Sequence, residues 1–209
     1  MDQNPRPLLL EEGLRSGHAA ERGQELEWVA SSQRGDTLAF NRLVLKWEKP
    51  IYNLNLRMLQ DREEAAEITQ EVFLSAFKSI RRFRRDARFS TWLYRIAVNH
   101  CLSRLRRRPQ GVHVPFEEEY AEDTVHFRMP ARESHEEEVL GEERRRHVRH
   151  ALAFLPPEQR AVVELKFFQE LTFEEIAAVV EAPLSTIKSR LYAGLDMLKV
   201  RLGGIASDL

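Results

Sequence analysis

Apolar residues return at three- and four-residue steps along much of this chain, and that period calls for helices. The clearest stripe lies between Asp61 and Ile80: Ala65, Ile68, Val72, Ala76 and Ile80, widened by Phe73 and Phe77. Glu63, Glu64, Glu67, Gln70 and Glu71 keep mainly to the other flank. Alternating apolar and polar stretches are few, and the 209 residues include only 9 Gly and 9 Pro. The expected fold is all-α, as two small helical domains joined by an acidic flexible linker.

Punctuation residues set the expected boundaries. Residues 1–23 carry Pro5, Pro7, Gly13 and Gly17 without a sustained period and read as a flexible leader. The first domain spans 24–108. Its helical pattern starts near Gln24 with Leu26, Val29 and Ala30, and Gly35-Asp36 stops one helix and caps the next. That next helix carries Leu38, Leu43, Leu45 and Trp47, and Pro50 is expected to kink or restart it before Ile51, Leu54 and Met58. After the Asp61–Ile80 stripe and the basic stretch Arg81 to Arg88, a helix is expected to start at Ser90 as N-cap and run to about Arg108. Residues 109–133, with Pro109, Pro115, Pro130 and many acids, form the linker. Ser134-His135-Glu136-Glu137 has the form of a capping box and opens the second domain, 134–209, in which Pro156-Pro157 sets up a helix through Phe168.

Charge is segregated along the chain. The net charge of −1 points neither toward nor away from nucleic acid, but from Lys78 to Arg108 eleven basic residues stand against Asp86 alone. Glu117-Glu118-Glu119, Glu122-Asp123 and Glu136-Glu137-Glu138 follow. The reading is an anion-binding module followed by an acidic connector. The single cysteine, Cys101, permits no internal disulfide and no structural zinc site, which fits a reducing cytosol. Leu8-Leu9-Leu10, ended by Glu11-Glu12, is too short for a signal-peptide core or a membrane span.

Leu171-Thr172-Phe173-Glu174-Glu175 is a complete helix start: Thr172 as N-cap, Glu175 closing a capping box, and Leu171 stapling onto Ile176. Phe173, Ile176, Ala177 and Val180 give its apolar face, and Glu181-Ala182-Pro183 makes a short turn. In the next helix Leu184, Ile187, Leu191 and Leu198 are expected inward, while Ser185, Lys188, Ser189 and Tyr192 form a polar stripe. A DNA-reading helix needs this arrangement, one face anchored and the other carrying short donors and a cation. An ordinary surface helix in a helical hairpin would show one of these features but not all together.

Phe83-Arg84-Arg85-Asp86-Ala87-Arg88-Phe89 leads into Ser90-Thr91-Trp92-Leu93-Tyr94-Arg95-Ile96-Ala97-Val98-Asn99. Leu93, Ala97, Cys101 and Leu105 step by four and face the core, leaving Trp92, Arg95, Asn99 and Ser103 along another side. Aromatic rings among arginines suit single-stranded DNA, where bases stack and cations hold phosphates, and Asn99 can hydrogen-bond an unpaired base edge. Trp92 reads equally as a half-buried core aromatic, and Cys101 on the apolar stripe as plain packing in preference to a redox sensor.

Three segments together resemble the sigma-70 superfamily, specifically its small extracytoplasmic-function members: Ala65 to Phe73, Phe89 to Asn99, and Leu171 to Leu191 ending Ser185-Thr186-Ile187-Lys188-Ser189-Arg190-Leu191. The likeness covers about residues 24–202 in the family's order. It implies a promoter-reading subunit of RNA polymerase, not an enzyme, needing no cofactor or metal and working in the cytoplasm without membrane insertion. The first domain (sigma-2) would bind the beta-prime clamp helices through Glu67, Gln70 and Glu71, and would melt the −10 element. The loop from Phe83 to Phe89 with Arg84, Arg85 and Arg88, then Trp92, Arg95 and Asn99, would hold a flipped non-template base. The second (sigma-4), with the beta flap as its polymerase contact, would place Ser185, Thr186, Lys188, Ser189, Arg190 and Tyr192 at the −35 element. The linker would run toward the RNA path, and an anti-sigma protein would hold the factor inactive. The pattern is broken at Ala193-Gly194-Leu195, where relatives often have a basic run; Gly194 within a helix costs about 1 kcal/mol relative to Ala, and no neighbouring residue in the sequence explains it.

Two other classes compete. A free-standing helix-turn-helix regulator would need neither the basic aromatic segment nor the acidic connector. A nucleic-acid enzyme would need a site; His147, His150 and Glu143 share a helix face, but Arg144, Arg145, Arg146 and Arg149 crowd it and oppose a metal.

Overall fold

The computed structural model describes residues 22–108, 148 and 150–205, and among these there is no strand. The acidic linker, the Ser134 capping box, Glu143, His147 and nearly all of the leader lie outside the described residues.

The first unit is a bundle of α1 (22–33), α2 (Thr37–Leu59), α3 (Arg62–Ser79) and α4 (Phe89–Arg107). The first boundary follows the sequence closely. Gly35 adopts φ 101°, a conformation that costs glycine little, and the Asp36 carboxylate accepts from the Leu38 and Ala39 N–H groups at 2.9 and 3.1 Å. Asp61 caps α3 in the same way, accepting from the Glu64 N–H at 2.8 Å.

Of the two outcomes expected at Pro50, a kink or a restart, the restart does not occur: α2 is one helix from Thr37 to Leu59 with Pro50 inside it. Leu43, Ile51 and Leu54 are fully buried on either side, so packing holds the helix across the missing hydrogen bond. Of the apolar residues it carries, Leu38 and Leu45 are exposed. Helix α4 begins at Phe89, not after a Ser90 cap: Arg88 is the N-cap, without a side-chain bond, and Ser90 lies inside the helix. Phe89, buried as the first helical residue, fixes that start.

The second unit closes α6 (Pro157–Phe167), α7 (Phe173–Val180) and α8 (Leu184–Ile205) over a helical turn, α5, at 150–153. Pro157 opens α6, where its missing N–H costs nothing. The capping box at Thr172 and Glu175 is present on both sides. The centre of α7 is Ile176 and Val179, with Phe173, Ala177 and Val180 only half-buried. In α8 Ile187 and Leu191 are buried and Leu198 is half-buried, but Leu184, expected inward, is exposed at the helix start.

Gly194 now has a reason. A Cβ at this position would stand 3.1 Å from Val163 Cγ2 and 3.7 Å from Gln159 Cβ, so the glycine lets α8 cross α6 closely. The two units also touch: α4 packs on α7, and the end of α2 on α6.

Candidate nucleic-acid interface

Helix α8 presents Ser185, Lys188, Ser189 and Tyr192 to solvent, while Thr186 and Arg190 beside them are half-buried. Ile187 and Leu191 anchor the opposite face. Ser189 Oγ donates to the Thr186 carbonyl at 3.0 Å, and Lys188 Nζ lies 5.9 Å from the Phe173 ring centroid. The turn before it relies on Glu181 in the left-handed region, φ 54°, with the Ala182 N–H donating to the Ala177 carbonyl at 3.2 Å. The stripe is therefore held on a pair of helices joined by a short, hydrogen-bonded turn.

In the basic segment the residues divide. Arg84, Arg85 and Arg88 are exposed, as are Arg95 and Asn99, about two and three turns into α4. Phe83 and Phe89 are not: both are buried, packing edge-on to each other at 6.0 Å and against Trp92 at 5.0 and 5.6 Å. Trp92 is half-buried on top of them. The two phenylalanines thus hold the shape of the loop and offer no open ring face. Gln33 fixes the loop from the other side, donating from Nε2 to the Ile80 and Phe83 carbonyls at 3.1 and 2.7 Å and accepting from Arg85 at 2.6 Å. Arg85 takes φ 58° in this turn.

On α3, Glu67 and Gln70 are exposed and Glu71 is half-buried. Arg104 Nη1 donates to Glu67 at 2.9 Å, and His100 bridges Ser75 Oγ at 3.0 Å and Glu71 Oε2 at 3.1 Å. The Glu67 bond and the neighbouring carboxylates raise the Arg104 pKa. Gln70 also borders an open groove between α2 and α3, floored by Phe40, Val44, Phe73, Leu74 and Phe77. Phe77, read from the sequence as core, is 48% exposed there.

Sequence reasoning missed a set of charges between the units. Glu164 is fully buried and gripped by Arg57, whose Nε and Nη2 each donate to it at 2.7 Å. Arg160, one turn earlier on α6, is buried too and donates to the Met58, Ala153 and Leu155 carbonyls; burial pulls its pKa down to about 10, still a cation at neutral pH. The available signal was an acid in the apolar run Ala161-Val162-Val163-Glu164-Leu165. Among the described residues, no group of three His, Cys, Asp or Glu side chains is placed to hold a metal ion, and no helix is long and apolar enough to cross a membrane.

Comparison with known proteins agrees with this arrangement. Residues 43–109 match the family model Sigma-70 region 2, and residues 145–198 match Sigma-70, region 4. The chain is 36% identical over 183 residues to the RNA polymerase sigma-H factor of Pseudomonas aeruginosa, covering 84% of this chain and 92% of the relative. It is 32% identical over 178 residues to the ECF RNA polymerase sigma-E factor of Haemophilus influenzae, covering 83% and 93%. Its fold is shared with the sigma factor RpoE of Bartonella quintana, solved in complex with the anti-sigma factor NepR, at TM-score 0.59 and 21% identity, over 78% of this chain and 96% of that one. The chain belongs to the sigma-70 family, in its extracytoplasmic-function group, and is a transcription-initiation sigma factor, not an enzyme.

Proposed function

We propose that this sigma factor directs core RNA polymerase to promoters by gripping two elements at once. Residues 134–209 read the −35 element as duplex through Ser185, Thr186, Lys188, Ser189, Arg190 and Tyr192. Residues 24–108 open the −10 element with the Arg84, Arg85, Arg88 loop and the Trp92, Arg95, Asn99 side of α4. Phe83 and Phe89 act through the loop's shape, because their rings are covered. Residues 109–133 connect the two along the polymerase.

The observation that carries this reading is the exposure, on one chain, of an anchored helix-turn-helix stripe and a separate arginine–asparagine face. A major groove accepts the first, and phosphates with unpaired base edges suit the second. The polymerase contact, through the beta-prime clamp helices, is supported by the apolar groove beside Gln70, with Glu67 and Glu71 on its flank; the second unit would meet the beta flap. An anti-sigma protein as regulator is supported by the relative solved with one. The cytoplasm is the setting such a polymerase partner requires.

Reconstitution tests the proposal. Purified protein, core polymerase and a promoter library should give specific initiation only when protein and polymerase are both present. Tight duplex binding by the protein alone, with no initiation, would instead mark a free-standing regulator.

A further inference from the structure

The loop between α3 and α4 is held by one side chain from a third helix. Gln33, half-buried, is the last residue of α1. Its Nε2 donates to the Ile80 carbonyl at 3.1 Å and to the Phe83 carbonyl at 2.7 Å, and its Oε1 accepts from Arg85 Nη2 at 2.6 Å and from Arg85 Nε at 3.2 Å. A carboxamide has two N–H donors and two acceptor lone pairs, and here all four meet the loop. The end of α1 also sits close against the loop's first turn, Ile80–Arg82: a Cβ on Gly35 would stand 3.4 Å from Arg81 Nη2.

The loop needs such support. Phe83 and Phe89 pin its two ends beneath Trp92, but residues 84–88 between them are all exposed, so apolar burial does not fix their shape. Arg85 takes φ 58°, a conformation that residues with a Cβ rarely adopt unless their surroundings impose it. The Gln33 contacts span the chain from Ile80 to Arg85 and so set where the arginines of the loop stand. Other side chains of this length cannot replace it. Glutamate would still accept from Arg85 but would turn a carboxylate toward two carbonyls, and methionine would neither donate to the carbonyls nor hold the guanidinium.

We infer that Gln33 is a positioning residue for promoter opening: by holding the Ile80 and Phe83 carbonyls together with Arg85, it sets the loop shape in which Arg84 and Arg88 meet the displaced strand. Gln33 works through the loop and not on DNA itself. What it controls is the geometry of base capture, and a site that reads bases loses discrimination once its parts shift by a fraction of an ångström. The role rests on the −10 reading proposed above.

The full chain bound to core polymerase tests it, with strand opening read by a fluorescent base in the −10 element of a promoter and of its single-base variants. Gln33→Ala should slow opening about tenfold on the preferred sequence and less on the variants, while affinity for polymerase stays within about twofold. The spread among bases at −10 should therefore narrow, and the spread at −35 should not. Gln33→Glu, able to accept from Arg85 but not to donate to the two carbonyls, should lose most of the same rate; wild-type behaviour would overturn the part given to those carbonyls. A slower rate with the full −10 spread retained overturns the control of base capture. Equal losses in polymerase binding and opening overturn the inference too, since they mark a loosened bundle and not a misplaced loop. Arg84→Ala with Arg88→Ala tests the −10 reading by itself. If that pair slows opening and Gln33→Ala does not, the inference falls alone; if the pair is silent, the −10 reading falls and the inference with it.

Discussion

Lys188 is the cation of the α8 stripe, flanked by Ser185, Ser189 and Tyr192, and its length lets it reach either a guanine edge or a phosphate. Lys188→Ala should weaken binding at the −35 element by about 1–3 kcal/mol if guanine is its partner, with the loss concentrated at one base position. Polymerase-dependent binding to promoter variants would show this; a uniform loss with a flatter salt dependence would assign it to phosphate, and an unchanged profile would remove it from the reading set. Asn99, exposed and away from the core, should matter later: Asn99→Ala should impair opening at the −10 element more than polymerase binding, and equal losses would point to misfolding. Cys101 makes the opposite case. Its thiol is buried, donates to Asn55 Oδ1 at 3.2 Å, and burial, aided by the Glu164 charge, pushes its pKa far above the ordinary thiol range. The folded protein should therefore resist iodoacetamide at neutral pH and label fully in denaturant. Rapid labelling of the native protein, read by mass spectrometry, would revive a redox role.

At the scale of elements, α8 crosses α6 at Gly194, where the helix gives up about 1 kcal/mol of propensity for close approach. Gly194→Val should place a branched side chain against Val163 and destabilise the second unit by about 1–3 kcal/mol, visible as a lower melting temperature. Thr172→Ala removes the α7 cap and should cost about 1 kcal/mol by the same assay. That cap, the Asp36 cap and the stripes of α3 and α4 were legible in the sequence because each depends on residues within a turn or two. The unbroken passage of α2 through Pro50 was not, since it depends on Ile51 and Leu54 finding partners elsewhere in the bundle. Nor was the covering of Phe83 and Phe89: rings among arginines look alike whether they face bases or each other, and only the fold of the loop decides. Phe77 erred the other way, sitting on the apolar stripe of α3 but opening into the α2–α3 groove, which a period of 3.6 cannot distinguish from core.

For the molecule as a whole, the contact between units treats the two DNA-reading sides unequally. Arg88 meets Glu175 of α7 and Arg95 meets Glu181 in the turn after it, whereas the α8 stripe is open to solvent. Long-range pairing of Arg57 with Glu164 is also the feature least visible from sequence, because it joins positions 107 residues apart. The two sides are also separable by substrate, single-stranded for one and duplex for the other. Arg84→Ala with Arg88→Ala removes two cations and takes the formal net charge from −1 to −3, and that change alone weakens attraction to any polyanion. Mixed-sequence duplex DNA supplies the control for the complex with polymerase: its affinity should stay within about twofold, because the α8 stripe is untouched, while single-strand affinity falls. The salt dependence should follow. Losing two phosphate contacts should flatten the single-strand slope of log K against log salt by about 1.4, at about 0.7 for each phosphate. Equal losses on both substrates, with no change in slope, would mean that the substitution altered only the overall field of the protein and removed no contact.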